Sequence, residues 1–106
     1  MFIYDIFYTN TASVIEYIYD KDERGRMIPI TENIKDTFKC DIQPISQDRV
    51  QKDFGISKHC IYRIFANKNE NIKIGNIIVI SDKYYKIESI KEWDYLEFVV
   101  SLYDND

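Results

Sequence analysis

The sequence has few of the residues that build metal sites, disulfides and tight turns. It holds one His, two Cys, two Pro and three Gly among 106 residues. The cysteines, Cys40 and Cys60, form no CxxC pair, and no metal-ligand pattern accompanies them. The sequence therefore predicts buried free thiols in a reducing compartment, and neither a metal nor a cofactor. Because Gly and Pro are scarce, several turns are expected to use Asn, Asp, Ser and Lys.

Long apolar runs are also missing. No run approaches the ~18 residues that cross a bilayer. The apolar segment at residues 2–8 has no basic residue before it and is interrupted by Asp5, which does not fit a secretion signal. We therefore expect no membrane segment and a protein made in the cytoplasm.

The chain has no excess of basic residues. Its formal net charge is −4 and its pI is near 5.0. A protein that grips phosphate backbones needs clustered Lys and Arg, so a nucleic-acid clamp is disfavoured. An acidic surface does suit a wall past which DNA slides without sticking.

Aromatic and β-branched residues are abundant. Aromatic residues make up 15% of the chain, nine of them Tyr, and they favour strands. In residues 72–103, three apolar runs are separated by short polar turns, which predicts an antiparallel meander. In its last run, Leu96, Phe98, Val100 and Leu102 fall on one face, as in a half-buried strand.

The start of the chain predicts two more strands. Residues 2–8 are apolar on both faces, so this strand needs cover on both sides, from its own chain or from a neighbouring subunit. Residues 9–11 read as a turn, and residues 13–19 as the second strand. A hairpin is therefore expected here.

The next segment contains a charged loop and one clear strand. Residues 20–26 mix both signs of charge around a Gly, as in a solvated hairpin tip. Pro29 limits residues 27–30 to an edge strand or an extended connection. In the strand at residues 34–43, three alternate side chains are expected to face inward: Phe38, Cys40 and Ile42.

A helix is predicted where the periodicity changes after Pro44. Ser46 is a good N-cap, Val50 and Phe54 share a face, and Gly55 marks the end. Such a short helix must dock on the sheet through its apolar face. A strand at residues 59–66 and a polar loop at residues 67–71 follow. The residues alone thus predict a small all-β domain with one short helix.

Chemical signatures are weak. His59 and Cys60 are neighbours on a predicted strand and point to opposite faces, so they do not form a dyad. The carboxylates of the last third lie in turns and on the outer face, which is typical of a solvated surface. Trp93, at a turn, either anchors a partner or closes one end of a barrel.

The order of the segments resembles the small head-completion proteins of tailed bacteriophages, known as head-closure, head–tail connector or minor capsid proteins. The likeness covers roughly residues 12–103. It lies in structural motifs: DKDERG at 20–25, CDIQP at 40–44, KDFG at 52–55, YRIF at 62–65, IGNIIV at 74–79, YKI at 85–87 and IKEW at 90–93.

The resemblance implies an all-β fold, a small antiparallel β-barrel of about six to eight strands with one short helix packed on it. One domain would span residues 1–106, with residues 1–11 as an N-terminal arm or edge strand. It implies a virion protein at the head–tail junction, assembled in the bacterial host cytoplasm. There it would form a ring below the portal and its adaptor, close the DNA channel and offer a surface to tail proteins.

The resemblance implies no enzyme activity and no specific DNA binding. Its candidate subunit or channel contacts are the two loops and the exposed Trp, namely Asp20, Lys21, Asp22, Glu23, Arg24, Arg26, Asn67, Lys68, Asn69, Glu70 and Trp93.

Two other classes of function stay open at this point. The first is an oligonucleotide-binding barrel, indicated by Tyr62 beside Arg63 and by two lysines flanking two tyrosines at residues 83–86. The second is a small hydrolase, which would need a cleft that brings His59 to carboxylates.

Overall fold

The computed structural model describes residues 9–103. It contains six strands and one helix, in the order β1 Asn10–Lys21, β2 Met27–Pro44, α1 Gln47–Phe54, β3 Tyr62–Ala66, β4 Ile77–Ile80, β5 Lys83–Glu92 and β6 Leu96–Leu102.

The six strands close into an antiparallel barrel with the order β1-β2-β3-β6-β5-β4. The last three strands form the predicted meander, and β4 closes the barrel by pairing with Ser13, Val14 and Ile15 of β1. Ser81 and Asp82 make the two-residue turn from β4 to β5, and both have positive φ values, 49° and 65°. Such turns match the right-handed twist of the flanking strands. The prediction of a small all-β barrel is confirmed.

The β1–β2 hairpin is much longer than the barrel. β1 contacts β4 only as far as Ile15, and β2 contacts β3 only from Cys40 onward. The outer part of the hairpin, residues 16–33, therefore continues as a two-stranded extension that we call the ribbon. At about 3.3 Å per residue, it reaches roughly 20 Å beyond Ile15. The molecule is accordingly elongated, with extents of 50 × 33 × 22 Å.

Several predicted boundaries in this hairpin are wrong. Residues 9–11 are not a turn, because β1 already begins at Asn10. Residues 27–30 and 34–43 are one continuous strand of 18 residues, since a ladder with β1 holds Pro29 opposite Tyr19. Two register shifts relieve this long ladder, one between Val14 and Ile15 and one between Ile18 and Tyr19.

Other boundaries also differ from the prediction. β3 begins at Tyr62 rather than at residue 59, and residues 72–74 belong to a turn-rich loop rather than to a strand. The predicted strand at residues 2–8 lies outside the described residues.

The barrel interior is filled by alternate side chains of every strand. Phe98 at its centre is fully buried and meets the ring of Phe38 edge-on, at 6.5 Å between centroids. Cys40 and Ile64 beside it are also fully buried. Phe38, Cys40 and Ile42 all contact this core, as predicted.

The helix is built and docked as its sequence indicates. Ser46 caps its start by accepting a hydrogen bond from the Arg49 backbone N–H, and Gly55 ends it with a left-handed φ of 69°. Val50 is fully buried against Cys60 and Val99, and Phe54 packs at the edge of this second cluster. The outward-facing Val99 of β6 is therefore covered by the helix.

Truncation of the central aromatic ring should cost most of the stability of the barrel. We expect Phe98→Ala to lower the free energy of unfolding by about 3–5 kcal/mol, through lost burial and the cavity left behind. Urea denaturation measures this change.

Leu102→Ala is the control, because this side chain is 65% exposed and should change stability by less than about 0.5 kcal/mol. Equal losses in the two variants would contradict the assigned centre of the core.

Candidate interaction surface

The candidate contact residues lie at one end of the barrel. Cys40 pairs with Ala66, Ala66 with Leu96, and Leu96 with Glu92. This row of paired residues marks the end from which the β3–β4 loop, the β5–β6 turn and the ribbon all leave. We call it the ribbon end.

The candidate residues lie on three segments that are far apart in sequence and leave the barrel at this end, and the first of them reaches roughly 20 Å beyond Ile15. Asp20 and Lys21 end β1, and the tip that follows carries Asp22, Glu23, Arg24 and Arg26. The other two groups are the β3–β4 loop with Asn67, Lys68, Asn69 and Glu70, and the β5–β6 turn with Trp93.

The tip of the ribbon is organised around one carboxylate. Asp22 accepts hydrogen bonds from the backbone N–H groups of Arg24 and Arg26 and from Nε of Arg26, each at 2.9 Å. Gly25, with a φ of 81°, supplies the left-handed residue of the turn. These bonds, chiefly the one from the backbone of Arg26, hold the pKa of Asp22 below its ordinary value. The tip therefore has a defined shape.

The β3–β4 loop is fastened to the base of the hairpin. Asp36 Oδ2 accepts hydrogen bonds from Nδ2 of Asn69 at 2.5 Å and from Nδ2 of Asn71 at 3.4 Å. The side chain of Asn76 continues the network by donating to the carbonyl of Asn71 at 2.9 Å. The bond from Asn69, with help from Asn71, lowers the pKa of Asp36. The loop is thereby held against β2.

Acid should loosen this loop. Because the folded state lowers the pKa of Asp36, its contribution to stability is present above about pH 4 and is lost as the pH falls through the folded value. We expect Asp36→Asn to lower the melting temperature at pH 7 and to narrow the difference between pH 7 and pH 3.

Asn69→Ala removes the main donor to Asp36 and should act in the same way. Thermal melts followed by circular dichroism at the two pH values provide the test. An unchanged pH difference in both variants would show that Asp36 does not carry this dependence.

The ribbon carries exposed apolar side chains that the sequence analysis did not single out. Five large ones are exposed by 39–60%: Ile18, Tyr19, Met27, Ile28 and Ile30. Ile34 at the base of the ribbon is 69% exposed. The available signal was the run at residues 27–30, which is apolar on both faces and contains a Pro. Because Pro29 lacks a backbone donor, the sequence predicts an edge strand or an extended connection here, and this prediction does not indicate an exposed apolar surface.

A groove lies at the end of the barrel where β5 ends and β6 begins. Its floor and walls are apolar and come from Ile72, Ile74, Ile90 and Leu96, while Glu70, Lys73 and Glu92 lie along it. Ile74 is 64% exposed, and Trp93 in the adjoining turn is 53% exposed. We call this feature the groove.

Charged residues connect the ribbon end to the helix. Trp93 Nε1 donates to Oε1 of Glu97 at 3.2 Å, and Arg63 Nε lies 3.6 Å from Oε2 of the same carboxylate. Arg63 Nη2 also donates to Oδ2 of Asp53 on the helix at 3.1 Å. The position of the Trp93 side chain is therefore linked to the docked helix.

Arg63 and Arg49 both contact the carboxylate of Asp53, and Arg63 should contribute more to stability than Arg49. Arg49 contacts Oδ2 of Asp53 at 3.2 Å but is 58% exposed, whereas Arg63 is 19% exposed. We expect Arg63→Ala to lower the free energy of unfolding by about 1–3 kcal/mol, because Asp53 and Glu97 both lose their less exposed partner and keep only Arg49 and the indole N–H of Trp93.

The matched variant, Arg49→Ala, should cost no more than about 0.5 kcal/mol, the value of an exposed pair one helical turn apart. Chemical denaturation of both proteins gives the comparison. A larger loss in Arg49→Ala would reverse the assigned order.

The residues that suggested other functions are engaged elsewhere. Cys60 is buried, and desolvation raises its pKa to about 11, so the thiol is protonated at neutral pH, while His59 beside it is exposed. Tyr62 and Tyr85 pack edge-to-face at 5.7 Å, at the mouth opposite the ribbon end. Arg63 forms ion pairs with Asp53 and Glu97.

Residues 9–103 lack two kinds of feature. No group of three or more His, Cys, Asp or Glu residues in this part of the chain has a geometry that could hold a metal ion. None of its helices is long and apolar enough to cross a bilayer.

Comparison with known proteins establishes the fold. No family model and no curated protein matches the sequence. The structure is similar to the solution structure of protein SF1141 from Shigella flexneri 2a, a target of the Northeast structural genomics consortium. The TM-score is 0.67 over 92% of this chain and 94% of that chain, with 13% sequence identity. At this identity the likeness concerns the fold alone.

Proposed function

We propose that this chain is a structural protein of the head–tail connector of a tailed bacteriophage. In this proposal, copies form a ring below the portal and its adaptor, close the DNA channel and present a surface to tail proteins. The observation that carries the proposal is the ribbon end, where exposed apolar side chains, a shaped charged tip and an exposed Trp are grouped on a small barrel.

The arrangement of this end supports an assembly role. A ring requires two different surfaces on each subunit, one of which contacts the other on the next copy. Ile28 and Ile30 on the ribbon and Ile74 and Trp93 beside the groove supply apolar surface on two separate elements. Aromatic and large apolar side chains of this kind commonly dominate the binding energy of interfaces.

The sequence resemblance supports the finer assignment. Its segments fall in the same order as the charged tip, the capped helix and the closing meander of the barrel. The net charge of −4 fits a channel through which DNA passes without specific binding. The proposed location is accordingly the head–tail junction of the virion.

Deletion of the gene from its parent phage or prophage tests the connector role. We expect electron microscopy of the particles to find packaged heads that leak DNA and lack tails, together with free tails. The reason is that the ring both retains DNA and carries the tail attachment surface.

Supply of the wild-type chain from a plasmid is the control and should restore tailed particles. Normal tailed particles in the deletion strain would contradict the proposal.

A further inference from the structure

We infer that the ribbon of one copy packs into the groove of the next copy, in a head-to-tail contact repeated around a ring. This inference rests on the proposed function, because it names the contact by which the proposed ring is built. Its basis is the exposed apolar surface of the ribbon, the preformed shape of the groove and the charges that the two surfaces carry.

The ribbon requires cover. An isolated two-stranded hairpin is only marginally stable in water, and three or more strands or a packing partner are normally needed. Within residues 9–103, no third strand pairs with the ribbon. At its base, Tyr84 donates a hydrogen bond to Oε1 of Glu32 at 2.6 Å. The apolar faces farther out, at Tyr19, Met27 and Ile30, stay exposed.

The size of the exposed surface suits one side of a stable contact. The five large apolar side chains of the ribbon expose on the order of 500 Å², the size of the largest patch on a typical monomer. A stable interface buries about 800 Å² of total surface on each partner, of which roughly 57% is apolar. The apolar surface of the ribbon is therefore enough for one side of such a contact.

The groove offers a second apolar surface, whose shape is fixed by contacts within the chain. Hydrogen bonds shape its loop side, from Ile72 N–H to the carbonyl of Asn69 at 3.1 Å and from Gly75 N–H to the carbonyl of Ile87 at 2.8 Å. Ile72 and Leu96 form a nearly buried floor, with exposures of 5% and 4%, and Ile74 stands exposed at the side. A preformed apolar site loses little conformational entropy on binding.

The charges of the two surfaces favour a second copy of this chain as the partner. The ribbon carries five acidic and three basic residues, a balance that suits neither a phosphate backbone nor an anionic bilayer. Arg24 at its tip forms no ion pair with any residue between 9 and 103, and neither do Glu70 and Glu92 along the groove. A second copy brings these opposite charges together at the rim of the contact.

The ribbon and the groove are two different surfaces of the chain. A contact between two different surfaces is heterologous, and repetition of it closes into a ring when the rotation permits.

Disulfide trapping between two variants that each carry one added cysteine, Ile30→Cys and Ile74→Cys, tests the inference. Both side chains are exposed, and the native Cys40 and Cys60 are 0% and 2% exposed, so background cross-linking should be low. We expect a disulfide-linked dimer only when the two variants are mixed and oxidised. The double variant should give a ladder of oligomers on a non-reducing gel.

A mixture of Ile30→Cys with Leu102→Cys is the matched control. Leu102 is also exposed, at 65%, but it pairs with Tyr85 at the opposite end, so no cross-link is expected. Cross-linking of Ile30→Cys alone as strong as in the mixture with Ile74→Cys would show a ribbon-to-ribbon contact and overturn the inference.

Absence of any cross-link in the mixture with Ile74→Cys at roughly millimolar protein would also overturn it. Neither result would affect the connector role, which the deletion experiment tests separately.

Discussion

The difference in length between the β1–β2 hairpin and the strands that close the barrel determines the surface of this protein. β4 has four residues and covers only three positions of β1, so the barrel closes around a short section of a hairpin whose second strand has 18 residues. The remainder of the hairpin has no place in the barrel core and extends outward. The exposed apolar side chains of the ribbon follow from this mismatch.

The two hydrophobic clusters stabilise different parts of the fold. The barrel core around Phe98 holds the strands together, and the cluster of Val50, Cys60 and Val99 fixes the helix to the outside of the barrel. The ion pairs of Arg63 help to orient the helix on the barrel, because Arg63 contacts both Asp53 on the helix and Glu97 on β6. Trp93 is bonded to the same carboxylate. The surface at the ribbon end is thus supported by packing on a distant face.

Local signals in the sequence predicted much of the fold. The helix was predictable because Ser46 and Gly55 cap it through contacts within a few residues, and the tip because charged residues flank Gly25. The ends of β1 and β2 were not predictable from the sequence. The strand propensity of the residues is the same inside and outside the barrel, and the distant strands β4 and β3 decide where pairing stops.

Leu102 shows the same limit. It continues the inward pattern of Phe98 and Val100 but lies past the buried layer and is exposed. The groove was missed because residues from three segments form it.

The edges of the ribbon favour a contact through its faces, rather than through its backbone, in the proposed assembly. Pro29 lacks the N–H that an added strand needs, and Lys35 and Ile30 lie at the two register shifts, which bend and twist an edge. These features oppose strand addition along β2 and so limit uncontrolled aggregation. Side chains such as Met27 and Ile28 stay available for packing. A ribbon of this design favours a partner with a shaped apolar groove over a partner that has only a free strand.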